Sequence, residues 1–401
     1  MRDSHAKPAD EMWLDAAPST RGDAAARPGG LCGAVSGQRR GVVRPGDAWL
    51  ASGVPAPGNP DAAAGPVSGG GQRASGSGGA DGGIVRTHGG AAAARGFRFD
   101  RPVAPGGYGW WYIDAVSDDR QHALTAIFFI GSVFSPYYAW SGRHRPENHC
   151  AVNLALHGQD RTCWTMTERG HGALARGPDH LRIGPSSAGW RDGRLICAFN
   201  EFTAPIPARV NGQIILEPGT AGAPAALALD PAGRHLWWPA APRARIDVMF
   251  ERPKMQWRGD AYYDGNFGTR PPEQDFLGWQ WSRTTLAAET AIFYDLHYRD
   301  GGAYSLAKAF AAHAAVRDIA APPPAPLPRG LGGVAGAARS DPGAPPALAA
   351  RLVDAPFYTR SLLHTRLGGQ PAVTVHESLS LNRLTKPWVR LMLPFRMPRW
   401  G

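Results

Sequence analysis

Two closely spaced polar pairs carry residue types suited to chemistry. His235 and Trp237 are two apart in GRHLWWPAAPRAR, and Tyr262 and Asp264 are two apart in GDAYYDGNFG. In an extended strand, residues i and i+2 share a face, so imidazole and indole project together, as do phenol and carboxyl. A carboxyl beside Tyr, across from His and Trp, can act as an acid. Asp264 also precedes Gly265-Asn266, a turn signal. It reads equally well as a turn-capping Asp next to core aromatics.

GWQWSR is a second cluster. Trp279 and Trp281 share a strand face that Arg283 continues. With Trp238 they would line a site for a long apolar or cationic ligand. Plain core packing is the competing reading. In RHRPENHCAVNLAL, Glu147, Asn148, His149 and Cys150 could suggest a metal, but HExxH or CxxC spacing is missing. Polar groups at the start of a strand explain them better. Cys32, Cys150, Cys163 and Cys197 form no zinc-type cluster and read as small buried hydrophobes. There is no GxGxxG, Walker or GxSxG motif, so nucleotide, nicotinamide and serine-hydrolase chemistry lose ground. No metal and no cofactor are expected.

The elements that must position these residues are strands. Short aromatic and β-branched runs recur with Gly, Pro or Asp between them. Examples are 109–115, 123–134, 150–157, 162–168, 194–201, 209–217, 245–251, 291–299, 357–367 and 373–381. That spacing indicates an antiparallel sandwich or barrel. In 244–250, Ile246, Val248 and Phe250 alternate with Arg245, Asp247 and Met249, as in a half-buried strand. Residues 322–350 are rich in Pro, Ala and Gly and read as an exposed linker or long loop.

The chain has 401 residues, with 14 Trp, 10 Tyr and 14 Phe, and all but Trp13 and Trp49 follow residue 95. Residues 1–95 hold 20 of the 51 Gly and little to bury. They are expected to form a disordered low-complexity leader. The formal charge is +10, but only Lys7, Lys254, Lys308 and Lys386 are lysines, and the arginines are scattered. That is thin for a phosphate track, and nucleic-acid binding is not expected. A weakly basic surface could meet anionic lipid instead. No run of about 20 apolar residues suggests a transmembrane helix, and no signal-peptide pattern is present. The closing KPWVRLMLPFRMPRWG is basic and apolar together. It reads either as a strand or strap packed on the body or as a membrane-facing edge, with Trp388, Leu391, Met392 and Phe395 beside Arg390, Arg396 and Arg399.

From about residue 96 onward the sequence resembles the carotenoid 1,2-hydratases (hydroxyneurosporene synthases) of purple phototrophic bacteria. The matching blocks include GYGWWYIDAVSDD, FIGSVFSPYYAW, PENHCAVNLAL, MTERG, IGPSS, GRHLWWPAAPRARIDVMFERP, GDAYYDGNFG, WQWSR, VHESLSL and WVRLMLPFRMPR. No family counterpart is recognised for the leader. The resemblance implies a mainly β fold of two tandem lipocalin-like antiparallel β-barrel or sandwich domains. We place these at 96–230 and 231–401. It implies addition of water to the terminal C1=C2 bond of acyclic carotenoids such as neurosporene and lycopene, within spheroidene and spirilloxanthin synthesis. It also places the family's polar motif on His235, Trp237, Tyr262 and Asp264.

The residue types suit that reaction. C2 must be protonated and a tertiary cation sheltered at C1. Burial in an apolar pocket raises an Asp pKa, which makes Asp264 the expected donor. Aromatic faces stabilise a desolvated cation by roughly 2 kcal/mol or more, a role for Trp237 and Tyr262. His235 is expected to handle the attacking water or to hydrogen-bond Asp264. A membrane-dwelling substrate implies a cytoplasmic protein peripherally bound to the membrane. The alternative is a lipocalin-like carrier that binds carotenoid without chemistry.

Overall fold

The computed structural model of the chain describes residues 98–158, 162–219, 222–311 and 316–400. The leader expected over 1–95 lies outside the described residues. Within them the protein is mainly β, built on two large antiparallel sheets.

The larger sheet has thirteen strands. From one edge its order is Arg399–Trp400, Thr162–Arg169, Cys150–His157, Ala123–Ile130, Tyr108–Ser117, Lys254–Gly268, His235–Arg252, Arg209–Pro218 and Arg194–Phe202. It continues through Ser186–Arg191 and His180–Ile183 to Leu174–Arg176, and the short Leu227–Ala228 pairs beside His235–Arg252. The sheet curls on itself. Phe128 and Phe199 lie several strands apart in that order, yet their rings are 5.8 Å apart. Arg169 near one edge also reaches Glu201, deep in the other half, at 2.7 Å. The curl encloses a core of Trp111, Ile113, Val152, Leu154, Ile246 and Val248 with their neighbours. The alternation read in 244–250 is the reason that strand faces this core: Ile246, Val248 and Phe250 are buried and Arg245 is exposed.

The second sheet has seven strands, with Phe276–Thr285 between Glu289–Tyr298 and Gln370–Ser380, and Tyr358–Leu367 beyond the latter. The change of sheet falls between Gly268 and Phe276. A second core lies between the two sheets. It takes Tyr108, Trp110 and Tyr112 from the outer face of the large sheet, and Trp279, Trp281, Tyr294 and Leu379 from the second. The strand Tyr108–Ser117 is therefore buried on both faces, which accounts for its unbroken run of aromatics.

Three expectations need correction. Gly265-Asn266 makes no turn, because the strand continues to Gly268. Gly265 pairs with Trp111 on one side and Trp238 on the other, so ladder bonds on both sides outweigh the local turn preference. Residues 322–350 are not a bare loop. They hold a hairpin, Pro324–Leu327 with Gly336–Arg339, which Arg339 ties to Asp295 at 2.6 Å, and a strand begins at Ala347. The C-terminal stretch packs on the body, but as helix more than as strand. Pro387 at the first helical position opens a helix, Pro387–Arg396, and only Arg399–Trp400 returns to the large sheet.

Candidate active site

The central ladder of the large sheet positions the polar motif. Asp264 lies opposite Tyr112 on one side and Pro239 on the other. Tyr262 and Asp264 share a face, as their spacing requires, and that face looks into the core between the sheets. Asp264 is only 4 % exposed. Its Oδ2 accepts the Tyr262 hydroxyl at 2.6 Å and the Trp237 indole N–H at 2.7 Å. The same indole N–H lies 3.2 Å from the Tyr262 oxygen. Oδ1 is buried and has no hydrogen-bond partner among the described residues.

Burial pushes the Asp264 carboxyl up to about 8. The two donors oppose that shift, while the negative charges of Glu377 and Asp114 add to it. The group is therefore mostly neutral at pH 7. Both donors point at Oδ2, so the acid proton belongs on Oδ1. Once the proton leaves, the same donors stabilise the anion.

Aromatic rings form the walls. Trp281 stands 5.3 Å from Tyr262 and 5.8 Å from Tyr112. Trp237 meets Tyr294 edge-on at 5.7 Å, and Trp279 packs against Tyr294 at 6.1 Å. Trp279 and Trp281 thus share the core that holds Asp264. Trp238, next to Trp237 on the strand, turns the other way. Its indole N–H donates to the Ala223 carbonyl at 2.8 Å, and its ring packs at the margin of both cores.

His235 is not brought to Asp264. In the ladder it lies opposite Gly268, four positions further along the strand. Its Nε2 lies 2.8 Å from the Asp275 carboxylate and its Nδ1 2.9 Å from the Tyr108 hydroxyl. The carboxylate can only accept, so Nε2 carries the hydrogen and Nδ1 accepts from Tyr108. The Asp230 side chain also holds the His235 backbone N–H at 2.8 Å. Burial lowers the His235 pKa, against the pull of Asp275. The imidazole is thus a neutral link between Tyr108 and Asp275.

A buried charge cluster, unread in the sequence, stands behind the site. The Tyr112 hydroxyl donates to Glu377 at 2.8 Å. Arg360 pairs with Glu377 directly across the second sheet and reaches Asp114 at 3.7 Å. Arg283, which continues the Trp279/Trp281 face, forms a close ion pair with Asp114. The signal was a charge on an otherwise apolar strand face: Glu377 between Val375 and Leu379, and Arg360 between Tyr358 and Leu362. Away from the site, His149 pairs with Glu168 and Glu147 with Arg176. Two open grooves, of about 820 and 430 Å³, are lined by none of the seven candidate residues.

A neutral carboxyl enclosed by aromatic rings, in a mainly β protein, can deliver a proton to an apolar molecule. Comparison with known proteins gives the family. The model of the carotenoid hydratase CrtC family matches residues 126–401, and the chain belongs to that family of hydro-lyases. The chain is 46 % identical over 394 residues to an acyclic carotenoid 1,2-hydratase of Thiocapsa roseopersicina, covering 97 % of each chain. It is 45 % identical over 404 residues to that of Rubrivivax gelatinosus, covering 99 % of this chain and 98 % of the relative. Matches of that length take in most of residues 1–95, so the leader does have counterparts in these relatives. A Nitrosomonas europaea protein described as AttH shares the fold, with a TM-score of 0.51 at 13 % identity over 68 % of this chain and 91 % of that one.

Proposed function

We propose that this protein adds water across the C1=C2 bond of acyclic carotenoids such as lycopene and neurosporene, giving 1-hydroxy carotenoids. The observation that carries the reading is the unpartnered Oδ1 of a neutral Asp264 among aromatic rings. The alkene π pair takes the Oδ1 proton and forms a C–H bond at C2. The tertiary cation left at C1 lies among the faces of Trp281, Tyr262 and Trp237. A water oxygen then bonds to C1, and its surplus proton returns to the Asp264 carboxylate. The sum is one water added, with the acid regenerated.

His235 enters this scheme as a positioning residue, since Tyr108 and Asp275 occupy both of its ring nitrogens. With Asp264 so enclosed, the aromatics between the sheets must part to admit the end of the polyene. The lipocalin-like reading belongs to the same proposal. It is supported by two antiparallel sheets that follow one another along the chain, each contributing one wall of the site.

The test is anaerobic incubation of the purified protein with detergent-dispersed lycopene, followed by product mass. Gain of one water, absent with Asp264→Asn, supports the hydratase. Tight binding with no mass change would instead support the carrier.

A further inference from the structure

The helix Pro387–Arg396 has two different faces. Val389 is buried, and Leu393 and Met397 pack on the core that contains Tyr262 and Trp237. On the other side Trp388, Leu391, Met392 and Phe395 are 49 %, 65 %, 50 % and 71 % exposed. At about 3.6 residues per turn these four fall within roughly 100° of arc. Four large apolar side chains on one side of one short helix are unusual on a protein that meets only water. Trp140, 53 % exposed, stands on the neighbouring helix Pro136–Trp140.

The charge carried by this segment has one sign. From Ser378 to Gly401 there is no Asp or Glu, while Arg383, Lys386, Arg390, Arg396 and Arg399 are present. Arg399 is held in a close ion pair with the buried Glu168 and Arg390 leans toward Glu273 at 3.5 Å, whereas Arg396 lies over the Trp164 ring at 4.7 Å. Lys386, at the start of the helix, has no acidic partner among the described residues. An apolar stripe flanked by cations matches the layering of a lipid surface, with acyl chains below and anionic headgroups around.

We propose that this helix face docks on an anionic lipid bilayer and marks where the polyene passes from the membrane into the core between the sheets. The docking surface stands on the geometry and charge alone. The passage of substrate rests on the hydratase reading. The same helix touches both regions, its outer face exposed and its inner face on the aromatic core.

The experiment uses the full chain and vesicles of equimolar phosphatidylcholine and phosphatidylglycerol, with lycopene either in the bilayer or dispersed in detergent. The wild type should co-sediment with these vesicles and bind pure phosphatidylcholine less. Leu391→Glu with Phe395→Glu should weaken that binding at least about tenfold, by burying charge in acyl chains. The variant should hydrate detergent-dispersed lycopene at the wild-type rate, yet lose most activity on lycopene in vesicles. Equal vesicle binding by variant and wild type would overturn the proposal. So would a wild type that ignores vesicles and forms a dimer which the variant breaks, because the face would then belong to a second copy. If the wild type hydrates lycopene in neither medium but still binds vesicles through this face, the hydratase reading fails and the docking surface stands.

Discussion

Tyr262 donates its hydroxyl hydrogen to Oδ2 of Asp264 at 2.6 Å, and this contact fixes which carboxyl oxygen holds the acid proton. The Trp237 indole takes the same oxygen, so Oδ1 is left to carry the proton toward the aromatic space. In the proposed reaction this arrangement primes the site as an acid, with the stabilisation of its conjugate base already in place.

Burial raises the Asp264 carboxyl from its ordinary 3.8 to about 8. Activity should be flat at neutral pH and fall about tenfold per unit well above pH 8, as the acid loses its proton. Stability should also decline as pH rises between about 4 and 8. In that window the folded chain holds a proton that the unfolded chain has released, so the slope is negative. Above about 8 both states are ionised and this contribution levels off. Chemical denaturation across pH, on wild type and Asp264→Asn, checks both limits; the variant should lack this part of the slope.

Removing a donor from Oδ2 should move the acid in a known direction. The Tyr262 and Trp237 hydrogen bonds lower the Asp264 pKa. Tyr262→Phe should therefore shift the alkaline limb to higher pH and slow turnover, because the anion left after proton transfer loses a charge-assisted bond of about 1.5–3 kcal/mol. A pH–rate profile of this variant reads both effects. A limb that moves down would contradict the assignment.

His235 should behave as one link with Asp275. If it acts by holding Tyr108 and the ends of the strands in place, His235→Gln and Asp275→Asn should lower kcat by similar factors. Their double variant should then be little worse than either. Neither should move the alkaline limb. A large loss in His235→Gln with an unaffected Asp275→Asn would return His235 to a direct role on water.

The buried Glu377–Arg360 pair should matter more to the fold than its distance from Asp264 suggests. Glu377→Gln leaves Arg360 without its close partner, and breaking a buried pair costs about 3–5 kcal/mol. Replacing both, as Glu377→Gln with Arg360→Met, should recover part of that loss in thermal melts. Glu377→Gln alone should lower the Asp264 pKa, since Glu377 is one of the charges that raise it.

Much of this site is readable along single strands. The spacing of Tyr262 and Asp264, and of Trp279 and Trp281, places each pair on one face, as the structure does. What could not be read is how distant strands align. Tyr112 meets Glu377 only because two sheets face each other across 265 positions of sequence. Local preference also misleads at Gly265-Asn266, where pairing on both sides holds the strand straight. His235 shows the same limit from the other direction: its neighbour in space, Asp275, lies beyond the end of the adjoining strand. The C-terminal helix follows from Pro387 at its first position, a start signal set within an apolar and basic run whose composition alone allows a packed strand or strap as well as a membrane-facing edge.

The most direct test of the acid role is hydration of lycopene in D2O, followed by mass and NMR analysis of the product. Wild type should place one non-exchangeable deuterium at C2 and hydroxyl at C1, and Asp264→Asn should give product about 100-fold to 10,000-fold more slowly while keeping its fold. Deuterated product formed by Asp264→Asn at the wild-type rate would contradict the account.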